Sequence, residues 1–395
     1  MKYFIVLAGG LADEPAEELD GRTPLESADT PYLDLLAERG KLAAVTTLPA
    51  ELPASEEVAL LSSLGYDPSL FFSGEAGLAA TDLLSSLPEG QIAFLHNLAT
   101  EADGCIVDHA AGHIGPTEAE SLLESLREAL PRGTEGFRVG RGYLGLTIMH
   151  LPASRPIKCL PPEATWNTPI EKCLPRGEGS ETVQELITRS REIFAEHEVN
   201  RVRADLGENP ANILWPWGPG RPPDLPAFTS RHRLQASLIA AAPSARGLGT
   251  LAAMEVPDIE GATGLADTDY AAKVRRAVDS MALNDVVVIH LGAASEASLD
   301  GDPRTKRRIA QEIDAHVMEP LYNYATQNEF VRILFLPTHT ADSTKRCRLR
   351  HPVPAVLFGP GFEAVRGLRC VEASVPNAEI LVERGHELME YYLRA

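Results

Sequence analysis

Nothing in the 395-residue sequence approaches the length of apolar chain that a membrane-crossing helix needs, which excludes a helical membrane protein. Cysteine is scarce and scattered. Cys105, Cys159, Cys173, Cys347 and Cys370 are odd in number and contain no C-x-x-C. That argues against a disulfide framework and a cysteine-built zinc site, and for reduced thiols in the cytoplasm. Positive charge is in deficit: 36 Lys and Arg face 56 Asp and Glu, for a net charge of −20. Such a field argues against nucleic acid or an acidic membrane as a partner, and an anionic substrate would need a local basic pocket. The first residues, MKYFIVLAGG, lack the basic and long apolar regions of a signal peptide and read as a buried strand. Internal repeats and low-complexity tracts are also missing.

What is present is the composition of a globular protein, 44% apolar and 23% charged, in a chain long enough for two domains. Short aliphatic runs at 4–7, 238–241, 286–291, 333–336 and 355–358 alternate with helical patterns. That order predicts an α/β fold whose parallel strands are covered on both faces. Within 304–325, Ile309, Ile313, Val317 and Leu321 make one apolar helical stripe. Thr117 and Glu120 have the spacing of a capping box before a helix carrying Leu122, Leu123, Leu126 and Leu130. A strand-like GYLGLTIMHL and a helix over 180–197 follow. Residues 91–205 are therefore expected to form an inserted smaller domain interrupting a core of 1–90 and 206–395. The segment WPWGPGRPPDLP at 215–226 is too rich in Pro and Gly for a helix or central strand and reads as an ordered connector.

Several motifs, in order along nearly the whole chain, carry a specific likeness. They are GLADEP at 10–15, GRTPLESADTPYLDLLAERG at 21–40, LGYDP at 64–68, AGHI at 111–114, HEVNR at 197–201, NPAN at 209–212, RGLG at 246–249, EGATG at 260–264 and PVP at 352–354. With them the chain resembles the archaeal-type cofactor-independent phosphoglycerate mutases of the alkaline phosphatase superfamily, some of whose bacterial relatives have been proposed as homoserine kinases. The resemblance implies a doubly wound, mostly parallel sheet with an inserted smaller α+β domain. It also implies a serine nucleophile and two divalent cations such as Mn, Mg or Zn, held by the serine, three aspartates and three histidines.

Carried over position by position, the implied site mostly fails. The first aspartate falls on Gly9, and the serine falls on Glu56, with Ser55 beside it. The Asp-x-x-x-His pair after His290 falls on Ser295 and Leu299, the following Asp-His pair is Thr338-His339, and the last histidine is Arg348. Of the seven, His339 alone is retained. The family's Tyr-Arg in the inserted domain reads Tyr143-Leu144, and a His-Asp pair reads Thr168-Pro169. His113 and Arg246 (lysine in relatives) persist as candidates, with Arg348, for holding a phosphorylated ligand.

Each residue also has a plainer reading. Ser55 suits a helix N-cap, His339 a buried relic, His290 a structural strand end, and Asp300, Asp302 and Asp342 solvated surface. The basic run at 345–351 is either a solvated loop or an anion site. The expectation is a catalytically inactive or strongly altered homologue that binds no metal at this site and pairs Glu56 with Arg348. Its partner is a small phosphorylated metabolite or a protein, including further copies of itself or a paralogue. The alternative is an active phosphoglycerate mutase or related phosphotransferase with a remodelled site.

Overall fold

The computed structural model describes residues 1–151 and 157–394. The chain divides into two compact units, Met1–Phe72 with Asp224–Ala395, and Ser73–Pro223. The insert thus starts earlier and ends later than the 91–205 expected. The reason is packing: the helix Ala76–Leu83 and the strand Ile213–Gly220 both lie against the strand Gln91–Ala102.

In chain order the strands are β1 (Lys2–Ala8), β2 (Lys41–Val45), β3 (Gln91–Ala102), β4 (Cys105–Asp108), β5 (Thr134–Val139), β6 (Leu144–His150), β7 (Ile213–Gly220), β8 (Ala236–Ile239), β9 (Val286–Leu291), β10 (Val331–Pro337), β11 (Thr340–Asp342), β12 (Cys347–Leu349), β13 (Val353–Phe358) and β14 (Ile380–Val382). The larger unit is built on a seven-stranded sheet in the order β14-β2-β13-β10-β1-β9-β8. Strands β10, β1, β9 and β8 run parallel, while β13 is antiparallel to both its neighbours. Every residue of β9 and β10 is buried, as two-faced cover by helices requires. Of the five expected strands β9 has the expected ends, while β1, β8, β10 and β13 each begin two residues earlier, and β2 and β14 were not anticipated. β14 is three residues long, too short to show a period.

The apolar stripe at 304–325 forms as expected, but its helix is not uniform. Pro303–Ile313 is α-helical, Asp314–Met318 is a π-turn, and Glu319–Thr326 is α-helical again. At the π-turn, the Asp314 carboxylate accepts from the backbone N–H groups of Tyr32 and Leu33 at 3.1 and 2.7 Å, filling the start of the helix Pro31–Arg39.

In the smaller unit, β3 pairs with β4, β6 and β7, and β5 with β6, all antiparallel. The segment read as a connector is in fact an edge strand. β7 pairs with β3 alone among the described strands, so Pro216 and Pro219 sit where a missing N–H costs no ladder bond. Trp215 is fully buried there and donates Nε1–H to the Leu160 carbonyl at 2.8 Å. The capping box also needs correction. The helix is Pro116–Arg127, so Thr117 lies inside its first turn and Gly115 is the cap. Proline at the first helical position fixes that start.

Candidate functional site

The parallel strands end side by side, and their ends carry the residues singled out above. Gly9 follows β1 and donates its N–H to Leu291 O of β9 at 2.7 Å, while Thr338 follows β10 and donates to Ala8 O at 3.0 Å. His290, opposite Leu7 in the ladder, is buried. Its Nε2 would lie 3.5 Å from a Cβ placed on Gly9. Gly10 has φ +61°, and a Cβ there would be 3.0 Å from Ser295 Cα and 3.2 Å from His339 Nε2. Glycine is thus required at position 10 twice over, by its left-handed backbone and by close approach. Ser295 lies in the first turn of the helix Ala293–Asp300, and Leu299 one turn further on the same face.

Glu56 opens the helix Glu56–Ser63, capped by Ser55, whose Oγ accepts from Val58 N–H at 3.3 Å. Glu56 Oε1 stands 3.4 Å from His290 Nε2. That is longer than a normal N–H···O bond. Burial works against ionisation of Glu56, but the facing His290, and then Arg348 and His339, outweigh it and hold the carboxyl down at about 2. His290 thus takes the leading place that the sequence assigned to Arg348. Burial foremost, and then the Arg348 charge, push His339 down to about 3, so its imidazole is neutral near pH 7. Its Nδ1 lies 2.9 Å from Thr338 Oγ1, and the Thr338 carbonyl accepts from Thr47 Oγ1 at 2.6 Å. Glu56 Oε1, His290 Nε2 and His339 Nε2 are buried without a hydrogen bond of normal geometry.

Arg246 and His113 have partners of their own. Arg246 bonds Asp258 Oδ1 at 2.8 Å and the Pro257 carbonyl at 3.3 Å. In the smaller unit, His113 is exposed on a turn where Ala111, Gly112 and His113 all have positive φ, its ring edge-on to Tyr143. Nor does the 345–351 run act as one patch. Lys345 pairs with Asp342 at 2.9 Å, Arg350 donates to the Leu52 carbonyl at 2.7 Å, and His351 meets Glu14 at 2.7 Å. Asp342 is therefore a buried partner and not solvated surface.

Sequence reasoning missed two groups. His290 faces Glu56, although its place at a strand end was visible. Asp13, in the GLADEP motif, forms a buried lock. It receives Lys306 Nζ at 2.8 Å and Ser343 Oγ at 2.7 Å, while Lys306 also donates to the Ala12 and Ala341 carbonyls at 3.1 and 2.7 Å. Lys306 stands in the basic run Lys306-Arg307-Arg308, and such a run gives no signal of which side chain turns inward to a buried partner.

A protein from Methanothrix thermoacetophila named 2,3-bisphosphoglycerate-independent phosphoglycerate mutase is 36% identical over 386 residues, 98% of this chain and 96% of that one. This chain belongs to that family. The family model of the same description matches residues 37–200. A probable 2,3-bisphosphoglycerate-independent phosphoglycerate mutase from Geobacter sulfurreducens is 35% identical over the full length of both chains. Among solved structures, a Pyrococcus horikoshii protein superimposes with a TM-score of 0.76 at 25% identity, covering 99% of this chain and 97% of its own. The cofactor-independent phosphoglycerate mutase of Thermoplasma acidophilum gives 0.56 at 26% identity, covering 100% and 99%. Membership in the phosphoglycerate mutase family accounts for the parallel sheet and for the likeness of motifs along the chain.

Proposed function

We propose that this member of the phosphoglycerate mutase family does not interconvert phosphoglycerates, and that it acts instead as a binding protein on the same scaffold. The reading rests on one observation: the ionised Glu56 carboxylate stands at the inferred serine position, 3.4 Å from His290. A carboxylate there cannot serve as the hydroxyl that accepts and returns a phosphoryl group. Two divalent cations do not fit the residues at the inferred ligand positions. Gly9 has no side chain, Leu299 has no donor atom, and the positive charge of Arg348 opposes a cation. Among the described residues, no group of three or more His, Cys, Asp or Glu side chains is placed to hold a metal ion.

What the scaffold binds is, on this reading, a small phosphorylated metabolite or a protein partner, a second copy or a paralogue included. Arg246 weakens the first option, since Asp258 already takes its guanidinium. The test is thermal unfolding in titrations of Mn²⁺, Mg²⁺ and Zn²⁺, because a ligand that binds the native state raises Tm by mass action. Unchanged Tm at micromolar metal supports the reading. A saturable rise that disappears in His339→Ala contradicts it.

A further inference from the structure

A second site is marked out in the larger unit by two buried hydroxyls without partners. A cavity of about 550 Å³ opens between the 266–271 segment, the helix Pro303–Ile313 and its π-turn. That is within the range of small-molecule sites, about 300–1,000 Å³. Tyr270 and Thr268 line it, each more than nine-tenths buried, and neither Tyr270 OH nor Thr268 Oγ1 has a hydrogen-bond partner. A buried hydroxyl left unpaired costs free energy that an incoming acceptor can recover.

The charges around the cavity narrow the class of ligand. Burial first, and then Glu312, raise the Tyr270 phenol above its ordinary range, so it remains a protonated donor. Arg308 acts on the same hydroxyl in the opposite sense, so a cation and an anion flank it. Arg308 is exposed and lines the cavity; with the two hydroxyls it forms a donor set suited to a carboxylate. Glu312, 3.1 Å from His316 Nε2, and Asp267, which accepts from Thr263 Oγ1 at 2.6 Å, line it too and keep further acceptor capacity. Those carboxylates repel a multiply charged anion such as phosphate and suit an ammonium group. Ile309, Ala266 and Ala271 offer apolar wall for a short carbon skeleton.

We propose that this cavity, lined by Thr268, Tyr270, Arg308 and Glu312, is a binding site for a small zwitterion of the amino-acid class. The carboxylate is held by Arg308 and the hydroxyls, and the ammonium by Glu312 and Asp267. The site is independent of the Glu56–His290 cluster and of any phosphoglycerate chemistry.

The test is calorimetric titration of the full chain with a panel of L-α-amino acids. Butyrate, butylamine and inorganic phosphate serve as controls that lack one charge or both carbon and ammonium groups. Saturable binding of at least one amino acid at millimolar concentration or below is expected, with no comparable binding of the controls. Tyr270→Phe, which removes an unsatisfied hydroxyl without removing the ring, is expected to weaken that binding about five- to tenfold. Arg308→Gln, a surface change that leaves the core intact, is expected to weaken it at least as much. The proposal is overturned if no amino acid binds saturably, if butyrate or phosphate binds as well, or if neither substitution changes the affinity.

Discussion

Residues buried in one charge state make the sharpest predictions. Lys306 and Asp13 form an ion pair with almost no exposure on either side chain. Removing one partner strands the other charge, so Lys306→Met is expected to lower unfolding free energy by about 3–5 kcal/mol in denaturant titrations. His96 is buried, with Nδ1 3.0 Å from Thr147 Oγ1, and burial pushes it down to about 3. Its folded value thus lies below its unfolded one of about 6.5. Between the two, the unfolded chain binds a proton that the folded chain does not, so stability falls as pH drops from about 6.5 toward 3. Replacing the ring in His96→Gln removes that proton. The slope of stability against pH between 4 and 6 should then become shallower by about 1.4 kcal/mol per unit. An unchanged slope would mean that His96 already takes up its proton in the folded chain.

At the scale of elements, legibility in the sequence followed the strength of local signals. β9 was read to its ends because six apolar or ring side chains in a row, bounded by turn residues, mark a strand covered on both faces. The antiparallel course of β13 was not visible, since direction is set by connections and not by side-chain period. β7 was missed because its prolines speak against a strand, and only the partner on one side explains why they are tolerated. The site followed the same logic. Position along the motifs brought Gly9, Gly10, Glu56, Ser295 and His339 to the strand ends, but the facing of Glu56 and His290 depends on side-chain directions across two elements far apart in sequence. An element-level prediction follows from Trp215, which anchors β7 in the core of the smaller unit. Trp215→Ala should cost about 3–5 kcal/mol, whereas Trp215→Phe keeps most of the apolar burial and loses the bond to Leu160. If thermal unfolding of the two variants coincided, the hydrogen bond and not the packing would hold the strand.

For the whole molecule, the scaffold is that of the family, and the proposed function turns on the residues at its strand ends. The sheet, its strand ends and the Asp13–Lys306 lock fit a chain that aligns end to end with phosphoglycerate mutases. On the function proposed above, the strand ends carry an interdependent set, in which an anionic Glu56 faces His290 and is drawn further by Arg348. Such a set depends on its members. Glu56→Gln removes the charge that His290 and Arg348 face, and its effect should be non-additive with Arg348→Met in a double-mutant cycle, by about 0.5–3 kcal/mol. Strict additivity would show that the two residues act independently. The most direct measurement is conversion of 3-phosphoglycerate to 2-phosphoglycerate by the purified chain, with Mn²⁺, Mg²⁺ or Zn²⁺ supplied in turn. No turnover above the protein-free reaction is expected with any of them. Metal-dependent turnover that is lost in Ser55→Ala and kept in Glu56→Ala would contradict the account, by placing the nucleophile at Ser55.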